Sequence, residues 1–128
     1  MIGLVVVSHS ETAANGIVEI AAEMASDVRI EPVGGDGSGG IGTVPDAIGD
    51  ALVAADDGNG VVVLVDLGSA VMNAEMAIEM SDVEAVIADS PVLEGTVNAA
   101  VAATSSNATL ESVRDQAEST RDMNKLNG

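Results

Sequence analysis

A single histidine, His9, follows a short apolar run at residues 4–7 and is flanked by two serines. Asp66 stands in the same relation to a second apolar run, at residues 61–65. A carboxylate that hydrogen-bonds to one ring nitrogen fixes the imidazole tautomer and leaves the lone pair of the other nitrogen free for attack. The two residue types therefore predict a nucleophilic imidazole, with His9 as the catalytic group and Asp66 as the residue that orients it.

Both residues also have purely structural interpretations. A lone histidine at a strand end can hydrogen-bond to a nearby loop, and Asp66 can cap a helix or stand solvated after its strand. Metal binding by His9 together with Asp66 is a third interpretation, but the pair supplies too few ligands for a stable site. Spacing alone leaves these alternatives open.

Basic side chains that could bind an anion are scarce, because the chain has four Lys and Arg residues against 21 Asp and Glu residues. None of the four is near His9 or Asp66 in the sequence. A phosphoryl group or other anion at this place would need backbone N–H groups of the glycine-rich segment at 34–42, helix N-termini and hydroxyl groups as donors. Thr43 and Ser69, each at the start of a predicted helix, are suited to that role.

Four short apolar runs alternate with helical patterns along the chain. The runs predict strands at residues 4–7, 28–33, 61–65 and 84–88. Continuous β-branched runs are typical of strands that are covered on both faces. The alternation predicts an α/β fold, a three-layer sandwich with a central, mainly parallel four-stranded sheet and helices on both faces. Ligands of such sheets bind beyond the carboxyl ends of the strands, where His9 and Asp66 would lie.

Helix boundaries and faces follow from the 3.6-residue period. The first helix is predicted over residues 11–25, with a buried stripe made of Ile17, Ile20, Ala21 and Met24. A second helix is expected to start at Thr43, and Thr109 is expected to cap the last one. One face of the helix after the third apolar run, at residues 61–65, carries three methionines, interpreted as helix packing or a dimer contact: Met72, Met76 and Met80.

The composition excludes several classes of function. The net charge of -17 opposes binding to nucleic acid and to anionic membranes. The absence of Cys excludes disulfides, thiolate catalysis and Cys-ligated zinc, and the absence of aromatic residues excludes stacking on bases. We expect a cytoplasmic protein, and the dispersed acidic residues with a single lysine, Lys125, suggest a halophile, whose salt screens this self-repulsion.

The length of 128 residues and the 47% hydrophobic content suit one domain with one core. We expect this domain to span residues 1–117. Residues 118–128 are polar and are expected to form a frayed C-terminal tail.

The glycine-rich segment at residues 34–42 formally matches two nucleotide-binding patterns. Gly35, Gly37 and Gly40 have the spacing of the dinucleotide fingerprint, but such a match arises easily among so many glycines and here follows the second strand. Gly35 and Gly40 also have Walker A spacing, but Ile41 stands where that motif needs lysine. Neither NAD binding nor a P-loop is therefore expected.

Four blocks of residues stand in a recognisable order. They are Val-Val-Ser-His-Ser at 6–10, Gly-Ile-Gly-Thr at 40–43, Val-Asp-Leu-Gly-Ser-Ala at 65–70 with Asn-Ala-Glu at 73–75, and Pro-Val-Leu-Glu-Gly-Thr at 91–96. In order and spacing they resemble the phosphotransferase subunit of the phosphoenolpyruvate-dependent dihydroxyacetone kinase. That subunit belongs to the mannose-type enzyme IIA group of the sugar phosphotransferase system.

The resemblance implies a phosphoryl relay with His9 as the phospho-acceptor. The group would pass from the phosphohistidine of the carrier protein HPr to His9, and then to ADP on the nucleotide-binding subunit of the kinase. The Asp-x-Gly-Ser block of the family maps onto Asp66, Gly68 and Ser69. Together with the placement of the hydroxyl and N–H groups, we predict that Asp66 orients the imidazole and that the phosphate-binding residues are Ser10, Gly42, Thr43, Gly68 and Ser69. The resemblance also implies a homodimer, and the relay step requires neither a cofactor nor a metal.

Two related functions remain as alternatives. A mannose-type enzyme IIA of a sugar transporter would use the same histidine chemistry with a IIB subunit as acceptor, and a non-catalytic regulator would report the phosphorylation state. The blocks at 66–70 and 93–95 favour the kinase subunit. Some members of the group carry HPr-like and enzyme I-like domains after this one, and because this chain ends, we expect those partners to be separate proteins.

Overall fold

The computed structural model describes residues 1–126, in which strands and helices alternate along the chain. The strands are β1 (Gly3–Ser8), β2 (Ile30–Gly34), β3 (Val61–Val65) and β4 (Ala85–Ile87). The helices are α1 (Glu11–Met24), α2 (Pro45–Ala55), α3 (Gly68–Glu79), α4 (Val92–Ala103) and α5 (Leu110–Glu118), followed by a short 3-10 helix, Ser119–Asp122. The predicted α/β fold is therefore confirmed.

The four strands form one sheet in the order β2-β1-β3-β4, and every neighbouring pair is parallel. This order makes β1 and β3 the central strands, which explains their unbroken apolar runs. The chain winds from β1 outward to β2 and then returns past β1 to β3. In doubly wound sheets, such a reversal opens a crevice beyond the carboxyl ends of the two strands. His9 follows one of these strands and Asp66 follows the other.

Helices cover both faces of the sheet, which confirms the predicted three-layer sandwich. Helices α1, α4 and α5 pack with Leu4, Val62 and Leu64 on one face. Helices α2 and α3 pack with Val5 and Val63 on the other face. The helices contribute mostly alanine to both cores, because small side chains bring the helix backbone close to the sheet in a chain that lacks aromatic residues.

The buried stripe of α1 differs from the predicted one. Ala14 and Ala21 are fully buried, whereas Ile20 and Met24 are 46% and 63% exposed. The helix lies so close to the sheet that alanine fits on its innermost face, and the larger side chains point outward. The prediction was wrong for Ile20 and Met24 because size decided which apolar side chains face inward.

Two helix starts show how local chemistry sets the boundaries. Helix α2 begins at Pro45 and not at Thr43, because proline is suited to the first helical position, where its missing N–H would have no partner. Thr109 caps α5 as predicted. Its hydroxyl accepts a hydrogen bond from the Ser112 N–H at 3.0 Å, and the Ser112 hydroxyl accepts one from the Thr109 N–H at 2.8 Å.

Beyond α5, the short 3-10 helix buries Thr120, which is 3% exposed. The predicted tail includes residues 127 and 128, which lie outside the described residues. The division into a domain at 1–117 and a tail at 118–128 stays a prediction. In the part of the chain that the structure describes, no helix combines the length and the apolar character needed to cross a bilayer.

Candidate functional site

His9 lies just beyond the end of β1, in the short turn that leads into α1. The turn ends where the Ser10 hydroxyl accepts a hydrogen bond from the Ala13 N–H at 3.1 Å and thereby caps α1. The His9 side chain is 21% exposed. The imidazole is therefore held at the rim of the sheet, where a partner can reach it.

The Asp66 carboxylate faces three donor groups of Ser8 and His9. Its Oδ2 accepts from the His9 N–H at 3.0 Å and from the Ser8 hydroxyl at 2.9 Å, and its Oδ1 lies 3.0 Å from His9 Nδ1. The register of the sheet explains the encounter, because Val7 pairs with Val65 and the residues that follow them must meet. A carboxylate at Nδ1 holds the proton on that nitrogen, so Nε2 carries the lone pair.

The pKa of the Asp66 carboxyl reflects two opposing effects. Burial raises the pKa, because it disfavours the charged form. Hydrogen bonds from the His9 backbone, the His9 ring and the Ser8 hydroxyl together outweigh it, so the pKa of Asp66 lies below its ordinary value of 3.8. Asp66 is therefore ionised at neutral pH and can hold the Nδ1 proton.

Ser8 is a site residue that the sequence reasoning missed. Its side chain is buried, and its hydroxyl donates to Asp66 and accepts from the Ser10 N–H at 3.1 Å. The available signal was a hydroxyl at the end of an otherwise apolar central strand, because a buried polar group needs a partner. Ser8 therefore joins the turn around His9 to the carboxylate that orients the ring.

The other ring nitrogen, Nε2, lies 2.8 Å from the hydroxyl of Ser69. Because Asp66 holds the proton on Nδ1, the Ser69 hydroxyl is the donor in this contact. Ser69 and Gly68 lie in the first turn of α3, whose unpaired N–H groups and positive dipole end favour an anion. A phosphoryl group on Nε2 would displace the Ser69 hydroxyl from the nitrogen and could then accept a hydrogen bond from it.

The remaining predicted phosphate-binding residues have partners of their own. The Gly42 N–H donates to the His9 carbonyl at 2.9 Å, and the Thr43 hydroxyl accepts a hydrogen bond from Asn73 Nδ2 at 2.6 Å. Gly34 lets β2 approach the His9 turn, because a Cβ there would lie 2.6 Å from the Ser8 carbonyl oxygen. These contacts fix the glycine-rich segment beside His9, and they engage the Gly42 N–H before any ligand arrives.

Asp36 organises the interior of the glycine-rich segment. Its Oδ1 accepts from the Ser38 N–H at 2.8 Å and the Gly40 N–H at 2.9 Å, and these hydrogen bonds hold the pKa of Asp36 below its ordinary value of 3.8. Two N–H groups that a nucleotide phosphate would need are therefore directed at a carboxylate. This geometry argues against NAD binding and against a P-loop.

Each basic side chain among the described residues makes its contact with a group outside this site. The pairs are Arg29 with the Ala54 carbonyl, Arg114 with Asp115, Arg121 with Asp89, and Lys125 with Glu94. Residues 1–126 also contain no cluster of three or more acidic or histidine side chains that could hold a metal ion. The chemistry of the site therefore depends on the imidazole, one carboxylate, hydroxyl groups and backbone N–H groups.

Comparisons with known proteins agree with this geometry. Residues 3–114 match the family model EIIA-man, the PTS system fructose IIA component. The chain is 40% identical over 93 residues to the phosphoryl donor subunit DhaM of the PEP-dependent dihydroxyacetone kinase 1 of Listeria innocua, covering 73% of this chain and 74% of that one. It is 34% identical over 116 residues to the phosphotransferase subunit DhaM of the PTS-dependent dihydroxyacetone kinase of Lactococcus lactis, covering 91% and 93%.

A solved structure and a longer relative extend the comparison. The crystal structure of EF1359, a protein of unknown function, superposes with a TM-score of 0.80 at 30% identity and covers 91% of this chain and 92% of that one. The Escherichia coli DhaM subunit is 34% identical over 113 residues, which make up 82% of this chain and 24% of that longer protein. The chain therefore belongs to the EIIA-man family, in which its relatives are DhaM phosphoryl donor subunits.

Proposed function

We propose that this chain is the phosphoryl donor subunit of a phosphoenolpyruvate-dependent dihydroxyacetone kinase. His9 accepts a phosphoryl group from phospho-HPr and passes it to ADP on the nucleotide-binding subunit of the kinase. The observation that carries the proposal is the pairing of His9 Nδ1 with Asp66, which leaves Nε2 as a nucleophile at an accessible edge. The DhaM relatives are phosphoryl donor or phosphotransferase subunits of dihydroxyacetone kinases, which supports the same role.

The transfer at His9 needs no separate base. The Nε2 lone pair attacks phosphorus in line, the new N–P bond forms, and the bond from phosphorus to the histidine of the donor breaks. Asp66 stabilises the positive charge that develops on the ring, because its carboxylate faces the Nδ1 proton. In the second transfer an oxygen of ADP attacks phosphorus, and the His9 ring leaves as neutral imidazole with its proton still on Nδ1.

Hydroxyl and N–H donors take the place of basic side chains at the phosphoryl group. Ser69 is next to Nε2, and the hydroxyl of Thr43 and the N–H of Gly68 are the further donors that we assign to phosphate. Ser10 and Gly42 support the group indirectly, because their hydrogen bonds fix the turn that carries His9. Donors that are already oriented stabilise transferring charge without reorganisation.

Reconstitution tests this function directly. The chain is incubated with labelled phosphoenolpyruvate, enzyme I and HPr, and then either with the dihydroxyacetone kinase subunits and ADP or with a IIB protein. We expect label to appear on the chain and then to leave to the kinase subunits. Label that leaves only to IIB would support the sugar-transport alternative, and label that never leaves would support a regulator; both results would contradict the proposal.

We also propose that two copies of the chain associate through the exposed methionine face of α3. Met72, Met76 and Met80 are 71%, 44% and 78% exposed, so of the two interpretations of this face, helix packing and a dimer contact, the second is the one that we propose. The groove between α3 and β4 is lined by Val71, Glu75 and Ile78 and not by the methionines. The exposed methionine face is therefore the surface that we assign to a self-complementary contact.

Replacing Met76 with glutamate should convert this dimer to a monomer, because it places charge in an apolar contact between two chains that each carry a net charge of -17. Sedimentation in high salt measures the mass. Met123→Glu is the matched control, since Met123 is 62% exposed at the far end of the chain, and it should leave the dimer intact. A wild-type protein that sediments as a monomer at every concentration would contradict the interface.

Two expectations from the composition stay predictions. The excess of acidic over basic residues fits a host with high internal salt, in which screening weakens repulsion between the carboxylates. A role next to HPr and a kinase subunit fits a cytoplasmic location. Neither expectation affects the chemistry at His9.

A further inference from the structure

Residues 35–44 connect β2 to α2, and few hydrogen bonds join them to His9 and to α3. It contains four glycines with positive φ angles: Gly35, Gly37, Gly39 and Gly42. Such glycines give a segment many alternative conformations, so its bound shape depends on specific hydrogen bonds. Within residues 1–126, the side-chain hydrogen bonds that join this segment to α3 come from Asn73.

The amide group of Asn73 contacts both polar atoms that Thr43 presents. Its Nδ2 lies 2.6 Å from the Thr43 hydroxyl oxygen and 3.4 Å from the Thr43 carbonyl oxygen. A carbonyl oxygen can only accept, so the NH2 group of the amide must face Thr43. The hydroxyl oxygen of Thr43 therefore accepts from Asn73, and its own proton remains available to another acceptor.

Thr43 is placed between His9 and α3. Gly42, the residue before it, donates its N–H to the His9 carbonyl at 2.9 Å. Asn73 lies four residues after Ser69 on the same face of α3, and the Ser69 hydroxyl is 2.8 Å from His9 Nε2. One face of α3 thus holds Ser69 against the ring and, one turn later, holds Thr43 beside the same edge.

We propose that Asn73 is a positioning residue for phosphoryl transfer, which turns the hydroxyl proton of Thr43 toward a phosphoryl group on His9. The proposal rests on the proposed function of His9. Asn73 touches neither the ring nor the phosphoryl group. Its amide occupies the oxygen of Thr43, and this leaves the hydroxyl free to donate in the direction of the site.

A double-mutant cycle tests this coupling. Asn73→Ala and Thr43→Val are made singly and together, and kcat and KM for transfer from phospho-HPr are measured separately. Each single variant should lower kcat about 10-fold with KM for HPr unchanged, because one oriented donor to the transferring group is lost. The double variant should be no slower than Thr43→Val alone, since Asn73 acts only through that hydroxyl.

Two further variants separate positioning from simple support of the fold. Asn73→Asp keeps the size of the side chain, but its carboxylate would accept a hydrogen bond from the Thr43 hydroxyl and turn that proton away from the site. Phosphoryl transfer by Asn73→Asp should therefore be at least as slow as by Asn73→Ala. Thr43→Ser keeps the hydroxyl and should retain wild-type kcat, but only while Asn73 is present. The control is Asn98→Ala on α4, whose amide makes one long contact of 3.5 Å with the Gln116 carbonyl and which should leave the kinetics unchanged.

Two outcomes would overturn the inference about Asn73. One is a double variant whose loss is the product of the two single losses, and the other is an Asn73→Asp variant that is as fast as wild type. In either case, transfer through His9 in the wild type would still stand. If the wild-type chain takes no phosphoryl group from phospho-HPr, the proposed function fails, and the role of Asn73 fails with it.

Discussion

Replacing His9 with alanine should reduce the incorporation of phosphate from phospho-HPr to background, a loss of about 1,000-fold or more. The chain has one histidine and no cysteine, so no second side chain of comparable nucleophilicity at neutral pH can replace it. The Ser8 hydroxyl donates to Asp66 but is buried, and the hydrogen bonds of the Ser10 and Ser69 hydroxyls in the described residues are not made to a carboxylate. Labelled phosphoenolpyruvate with enzyme I and HPr measures the loss.

The same experiment includes a control for folding and a control that tests whether a histidine at another position can accept phosphate. The His9 side chain is 21% exposed, and its ring hydrogen-bonds to Asp66 and Ser69, each bond contributing about 1 kcal/mol. His9→Ala should therefore remain folded, with an unfolding temperature lowered by roughly 7 °C. Adding Ser106→His to His9→Ala restores a histidine in the exposed loop after α4, and it should restore no labelling. A His9→Gln variant that still accepts acid-labile phosphate would refute the assignment.

The strands of the sheet were predictable from the apolar pattern of the sequence, whereas their order was not. The apolar runs at β1 and β3 are long and unbroken because both faces of those strands are covered, and this property can be read from one sequence. Strand order could not be read, since the pattern of a strand does not name its neighbours. The order matters, because it places the ends of β1 and β3 side by side and so brings His9 and Asp66 together.

The site was predictable where a residue type is rare and its place in a strand is clear. His9 and Asp66 end apolar runs, whereas Ser8 and Asn73 are common residues whose roles depend on partners 58 and 30 residues away in the chain. The Gly42 N–H, in contrast, was predicted from the sequence to have a role that the fold gives to another contact. Its place in a glycine-rich segment suggested a phosphate donor, but the fold directs it to the His9 carbonyl. Such long-range pairings follow from the sheet and its connections, not from local sequence.

Side-chain size explains the errors in the helix faces. The apolar positions of α1 gave the correct period, but the helix buries Ala14 and Ala21 and exposes Ile20 and Met24. Without aromatic residues to fill wide gaps, the helices lie close to the sheet, and the larger side chains must point away. Hydrophobicity alone therefore predicts which elements form but not which face of each helix is innermost.

Replacing Asp66 with asparagine should slow phosphoryl transfer more than the small change in side-chain volume suggests. In one orientation, the asparagine oxygen accepts from the His9 N–H and the Ser8 hydroxyl, as Oδ2 of Asp66 does, and its NH2 group then faces Nδ1. That orientation satisfies more hydrogen bonds than its reverse, in which the NH2 group would meet the His9 N–H. With the NH2 group facing Nδ1, the ring proton must move to Nε2, and this removes the lone pair that attacks phosphorus.

Loss of the carboxylate should also change how stability depends on pH. The pKa of Asp66 is below 3.8 in the folded protein and returns to its ordinary value on unfolding, so the ionised form stabilises the fold. This contribution is fully present above pH 3.8 and is lost as the pH falls through the folded pKa. The difference in unfolding free energy between wild type and Asp66→Ala should therefore be constant near neutral pH and shrink in acid.

The kinetic comparison of the two Asp66 variants gives the sharper result. Asp66→Ala leaves the ring unoriented but able to carry a lone pair on Nε2, and it should slow transfer to and from His9 by roughly 100-fold. Asp66→Asn, which locks the opposite tautomer, should be slower still, although it preserves the volume and two of the hydrogen bonds. The ¹⁵N chemical shifts of the His9 ring in both variants report which nitrogen carries the proton. If Asp66→Asn keeps the proton on Nδ1, or transfers faster than Asp66→Ala, then the carboxylate does not act by selecting the tautomer.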